Sequence, residues 1–151
     1  MKELERIRDQ FERSFKGPSW HGPAVLELLD GITAAQASAR PIAGAHSIWE
    51  ITQHMATWKS VVARRVRGEV VGNIPDDEDW PPAGQGAGEW AAARQRLEAA
   101  HADLVVALGS LSEEQLDEPP YKDASTRYIQ LHGAIQHDLY HAGQIAVLKK
   151  S

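Results

Sequence analysis

The sequence predicts an all-α protein, a four-helix bundle with a long crossover connection between its second and third main helices. Three observations predict it. Apolar residues recur at helical spacing in four long segments. No segment sustains the alternation of apolar and polar residues that marks a half-buried strand. The stretch from Glu69 to Gly88, rich in Pro, Gly and acidic residues, separates two of the helices and is far longer than antiparallel neighbours need.

The first helix runs from Lys2 to about Phe15, with Leu4, Ile7, Phe11 and Phe15 on one stripe and charges opposite. Gly17-Pro18 stops it, and a short piece from Ala24 to Leu29 follows, closed by Gly31. Thr33-Ala34-Ala35-Gln36 has the form of a capping box and opens a helical turn. Ser47-Ile48-Trp49-Glu50 is a second box. From it Ile48, Ile51, Met55, Trp58, Val62 and Val66 keep helical spacing to Gly68. The stretch Glu69–Gly88 reads as irregular, with Asp76-Asp77-Glu78-Asp79, then Trp80-Pro81-Pro82. At about 3.3 Å per extended residue it can travel the length of a helix, so the flanking helices are expected to run roughly parallel. The third main helix spans Glu89 to about Leu108, with Trp90, Leu97, Leu104 and Leu108 inward. Ser112-Glu113-Glu114-Gln115 opens a further turn, ended by Pro119-Pro120. The last helix runs from Ser125 or Thr126 to Lys150, and its stripe reads as Tyr128, Leu131, Ile135, Leu139, Ala142 and Ala146. Gly133 and Gly143 stand inside it, each costing about 1 kcal/mol relative to Ala. They suggest close approach by a neighbouring helix or a partner subunit.

A faint internal echo joins the two halves. Ile32-Thr33-x-x-Gln36 precedes a helix carrying His54, and Leu111-Ser112-x-x-Gln115 precedes one carrying His137. Duplication and coincidence are both open. Under duplication, His54 and His137 occupy related positions facing a common centre.

At 151 residues and a net charge of −5, the chain reads as one domain able to bury a core. Its only basic run, Arg64-Arg65-Val66-Arg67, sits where cations complement a helix C-terminus, so no nucleic-acid partner is expected. Without cysteine there is no disulfide, thiolate nucleophile or Cys-type zinc site, and any transition-metal site must use His with Asp or Glu. No apolar run approaches the roughly 20 residues that span a bilayer, and the charged N-terminus lacks a signal peptide's apolar core. The expectation is a cytoplasmic protein without a membrane partner.

The chemistry concentrates in the histidines. His137 and His141 lie four apart, which brings their side chains within about 40° of each other on one helix face. His54, flanked by Ile51, Trp58 and Val61, also faces inward. Three imidazoles that meet would bind one divalent transition metal per chain and leave a fourth position open, the pattern of a reactive site. Imidazole suits zinc, nickel, copper and iron(II) alike. Glu50, Asp138 and Gln144 are candidates to accept the second ring N–H of a ligand, although Glu50 already has its capping role and Asp138 can be read as solvated. His46 is placed to touch substrate. His132 reads as a core or interface residue, and His101 and His21 as surface or loop residues.

Two segments resemble the DinB/YfiT-like family of four-helix metalloproteins. One is His46-Ser47-Ile48-Trp49-Glu50-Ile51-x-x-His54-Met55-x-x-Trp58. The other, more specific, is His132-Gly133-Ala134-Ile135-Gln136-His137-Asp138-Leu139-Tyr140-His141-Ala142-Gly143-Gln144-Ile145. The resemblance implies metal ligation by His54, His137 and His141, with zinc or nickel as the metal, and a dimer. It also implies transfer of a low-molecular-weight thiol to an electrophilic small molecule. A metal-dependent small-molecule hydrolase and a non-catalytic, stress-associated metal-binding protein stand as alternatives. The homodimer has a second motive, because Trp49, off its helix's main stripe, and Trp90 add aromatic surface that a small bundle struggles to bury.

Overall fold

The computed structural model describes residues 1–151. It contains α1 (Glu3–Phe15), α2 (Val25–Leu29), α3 (Ala34–Ser38), α4 (Ile48–Val66), α5 (Asp76–Asp79), α6 (Gly86–Gly109) and α7 (Arg127–Lys149), with a 3₁₀ turn at Glu114–Asp117 and no strand. The long helices α1, α4, α6 and α7 form the bundle, and the capping boxes set two of the starts. Ser47 Oγ accepts from the Glu50 N–H while the Glu50 carboxylate accepts from the Ser47 N–H, and Thr33 and Gln36 do the same for α3.

The crossover makes α4 and α6 parallel neighbours. Trp49 packs on Trp90 with ring centroids 5.3 Å apart, Arg96 donates to Thr57 Oγ1 at 3.0 Å, and Arg67 pairs with Asp103 at 2.7 Å, so contacts climb both helices together. Helix α7 runs the other way along α4. His54 meets His137, Lys59 meets Asp138, and Arg127 reaches the Val66 carbonyl at 2.9 Å. Helix α1 is antiparallel to α6, its start held by Glu113 and its Glu12 beside His101.

Two apolar clusters fill the bundle. One holds Phe15, Leu29, Trp49, Met55, Trp90, Leu97 and Ile145. The other holds Ile7, Phe11, Val62, Val66, Leu104, Leu108, Leu131 and Ile135. On each long helix the boundary between them carries a polar residue: Glu12, Lys59, His101 and Asp138. Lys59 donates to Asp138 Oδ2 at 2.6 Å and to His101 Nδ1 at 3.3 Å, and lies 4.8 Å from the Phe15 ring centroid. Burying an ammonium and a carboxylate is tolerable only because their charges are paired, although Asp138 Oδ1 is left without a hydrogen-bond donor.

The structure differs from the sequence-based expectation in five places. Tyr128 and Leu139 are exposed, and the buried face of α7 instead runs through Leu131, Ala134, Ile135, Asp138, His141, Ala142 and Ile145. It takes in polar residues that a hydropathy stripe excludes. His101 is 2% exposed rather than at the surface, stacked on Phe15 at 3.9 Å. Trp49 and Trp90 are both buried, each completing the other's pocket. The acidic run folds into α5, where carboxylates in the first turn suit the helix dipole. Finally, α6 starts at Gly86 rather than Glu89, because the Glu89 carboxylate reaches back to the Gln85 N–H at 2.8 Å.

Candidate metal centre

His54 projects from the middle of α4, and His137 and His141 project from successive turns of α7. Because α4 and α7 are antiparallel, the three rings meet at one level of the bundle. The His54 and His137 Nε2 atoms are 3.0 Å apart, and those of His137 and His141 are 3.1 Å apart. The three donor atoms all lie within 4.8 Å of one another, so the cluster could hold one metal ion. Tetrahedral zinc with bonds of about 2.0–2.1 Å separates its nitrogen ligands by about 3.3 Å, so the His54–His137 and His137–His141 separations are a few tenths of an ångström shorter than in such a site.

The second ring nitrogens fix which way the lone pairs point. His54 Nδ1 lies 2.8 Å from the Asp79 carbonyl and 3.0 Å from Asp79 Oδ1. His141 Nδ1 lies 2.6 Å from Gln144 Oε1. Each Nδ1 therefore carries the proton and donates it, which leaves Nε2 bare toward the centre. Protons cannot reconcile three such nitrogens, since His137 Nε2 can donate to only one neighbour, whereas a cation accepts from all three.

Burial keeps the rings neutral. It pushes His137 down to about 3, helped by His141, His54 and Lys59, and His141 down to about 4, with Gln144 opposing. His54 also falls, mainly by burial, with Asp79 opposing. All three are deprotonated at neutral pH, the form that ligates a metal.

The crossover supplies a wall that the sequence did not reveal. Trp80 stacks between His54 and His46, with centroids 3.7 and 3.6 Å away and planes within 5° of parallel. Asp79 also accepts from Trp58 Nε1 at 2.7 Å, and Thr57 and Gln53 hold the Glu78, Pro81 and Pro82 carbonyls. Asp79 and Trp80 contact the candidate site from a segment that reads as a linker. The one available signal was an aromatic residue directly after an acid, in a connection long enough to return to the bundle.

The other candidates fall in different places. Gln144 contacts His141, and His46 stands behind Trp80. Glu50 is occupied by Ser47 and Arg40, with His46 Nδ1 3.8 Å away, and does not reach His54. Asp138 is neither solvated nor a partner of His141: it is fully buried against Lys59. His132 packs at a tilt against Tyr128, with ring centroids 4.3 Å apart, and is not part of the triad. Two cavities flank the cluster. One of about 300 Å³ is lined by His137, Trp58 and Arg65. The other, about 500 Å³ and mostly apolar, is lined by Ile42, Ile51, Tyr140, His46 and Gln144.

A family model described as the DinB superfamily matches residues 19–145. The chain belongs to the DinB superfamily. A solved structure, described as the crystal structure of the conserved protein of locus from Enterococcus faecalis, has the same fold. It is 20% identical, has a TM-score of 0.64, and the alignment covers 99% of this chain and 96% of that one. No curated protein matches. Within this DinB fold no helix is long and apolar enough to cross a membrane.

Proposed function

We propose that this DinB-superfamily chain is a metal-dependent transferase that joins a low-molecular-weight thiol to an electrophilic small molecule, with His54, His137 and His141 as ligands of one zinc or nickel ion. The observation that carries this reading is the convergence of three neutral imidazoles, with one cavity lined by His137 and a second lined by Gln144, the hydrogen-bond partner of His141. Three histidines with a free fourth position are the ligand set of a reactive centre. A divalent metal held there favours the thiolate form of a thiol at neutral pH. In the reaction the thiol gives up its proton to solvent, its sulfur bonds to the electrophilic carbon, and the leaving group departs with the bonding pair. The chain's residues hold the geometry: Asp79 and Gln144 fix two imidazole tautomers, and Trp80 shields one side of His54.

The same ligand set with water in the fourth position supports hydrolysis. Hydrolysis needs room for only one organic reactant, whereas transfer needs room for two, and the paired cavities favour transfer. Metal analysis of the purified protein should find one ion per chain, lost in His54→Ala, His137→Ala and His141→Ala. The metal-loaded protein is then assayed with a thiol plus an alkylating electrophile, and separately with ester and amide substrates. Turnover of the esters or amides alone replaces the transferase with the hydrolase. Bound metal with no turnover of either kind leaves a non-catalytic metal-binding protein.

A further inference from the structure

The smaller cavity beside His137 has two cations in its wall, Lys59 and Arg65, and no acid among its lining residues. The Lys59 ammonium is turned away to Asp138 and His101, which leaves Arg65 as the available cation. Its neighbours are both neutralised, Arg64 by Glu69 and Arg67 by Asp103. Arg65 has no carboxylate partner. Instead its Nε–H donates to the Val71 carbonyl at 3.1 Å and one Nη2–H to the Gly72 carbonyl at 3.3 Å, while the guanidinium lies 5.7 Å from the Trp58 ring centroid. Those contacts fix the planar group and leave three of its five N–H groups without a partner.

Two further features make this a built site. The chain is acidic overall, at −5, so a cavity whose available cation meets no acid runs against its composition. Gly133 also lines the cavity, and a Cβ added there would meet nothing within 4 Å. A mid-helix glycine that no neighbour requires leaves space for a ligand at a cost in helix propensity.

We propose that this cavity is a subsite for a carboxylate on the small molecule that reacts at the histidine cluster, with Arg65 as its ionic partner and Ser125 and Gln130 as polar neighbours. One free guanidinium balances the single charge of a carboxylate, whereas a phosphate dianion would be left half compensated. The subsite rests on the thiol-transfer reading only for the identity of that small molecule, which becomes a carboxylate-bearing thiol.

The test uses sulfur-free and sulfur-bearing probes on the zinc-loaded protein. Succinate should shift the Arg65 Nε–H resonance of ¹⁵N-labelled protein, and Gly133→Leu, which fills the cavity, should abolish the shift. By calorimetry, mercaptosuccinate should bind about tenfold more tightly than thioglycerol, the scale of a hydrogen-bonded charge pair. Arg65→Met should erase that preference and leave thioglycerol binding unchanged. Equal binding of the two thiols to the wild type, or a preference that survives Arg65→Met, overturns the subsite. Thiols that bind no better than succinate and glycerol, while succinate still shifts Arg65, refute the thiol chemistry and sustain the subsite.

Discussion

Asp79 shows how one residue can matter at a site without touching its centre. Its carbonyl and carboxylate both approach His54 Nδ1, and the same carboxylate receives the Trp58 indole N–H. Removing the carboxylate in Asp79→Ala leaves the carbonyl contact but loosens the ring. Losses of this kind cost about 10–100-fold in metal affinity. Competition with a chromogenic chelator measures it, and affinity within a factor of about two of wild type would show that the backbone carbonyl alone orients His54. The inward direction of His54, His137 and His141 is legible in the sequence because helical period converts spacing into direction. Asp79 is not legible, because its partnership depends on the path of the chain between residues 69 and 85. Nor are His101 and Lys59, which hydropathy assigns to the surface and which enter the core around the Lys59–Asp138 ion pair.

At the scale of elements, capping boxes at Thr33 and Ser47 and the stripes on α1 and α4 mark out helices as the structure has them. The parallel arrangement of α4 and α6 is what the length and the Pro/Gly content of the connection predict. The glycines carry a different lesson. Gly133 and Gly143 suggest helix–helix contact, yet a Cβ at either meets nothing within 4 Å of the chain's own atoms, and each lines one of the cavities beside the triad. Gly84 reads as a mere loop residue, yet its added Cβ would stand 2.9 Å from Cζ2 of the buried Trp49 ring and 2.3 Å from the Glu89 carboxylate. The two kinds of glycine should therefore respond oppositely to alanine. Gly143→Ala is expected to raise unfolding stability by about 1 kcal/mol through helix propensity. Gly84→Ala should lower it by about 1–3 kcal/mol through overpacking against a side chain that cannot move. Urea denaturation reports both, and a neutral Gly84→Ala would mean that the crossover shifts freely away from Trp49.

For the whole molecule, buried neutral histidines set the response to acid. His101 is held down to about 3 by burial and by Lys59, and His137 and His141 are held down to about 3 and 4. In the unfolded chain each takes a proton near pH 6.5. Below that value the unfolded state binds protons that the folded state refuses, so stability falls as pH drops, by about 1.4 kcal/mol per pH unit for each such histidine. For metal-free protein the slope between pH 6 and 5 should be shallower in His101→Gln by one such increment, and equal slopes would show that His101 does not resist protonation. Assembly is the other property of the whole. Burial of Trp49 and Trp90 removes one motive for a homodimer. The structure supplies a different one on α7, where Tyr128, Ile129, Leu139, Tyr140 and Val147 are exposed, with Ile129, Tyr140 and Val147 also among the residues lining the two cavities. Apolar surface concentrated on one helix is suited to isologous pairing, in which a single patch meets its own copy across a twofold axis. Light scattering at micromolar concentration is expected to return twice the chain mass of 16.6 kDa, and Ile129→Glu combined with Val147→Glu should return it to the single-chain value. A single-chain mass for the wild type would show that α7 stays open to solvent.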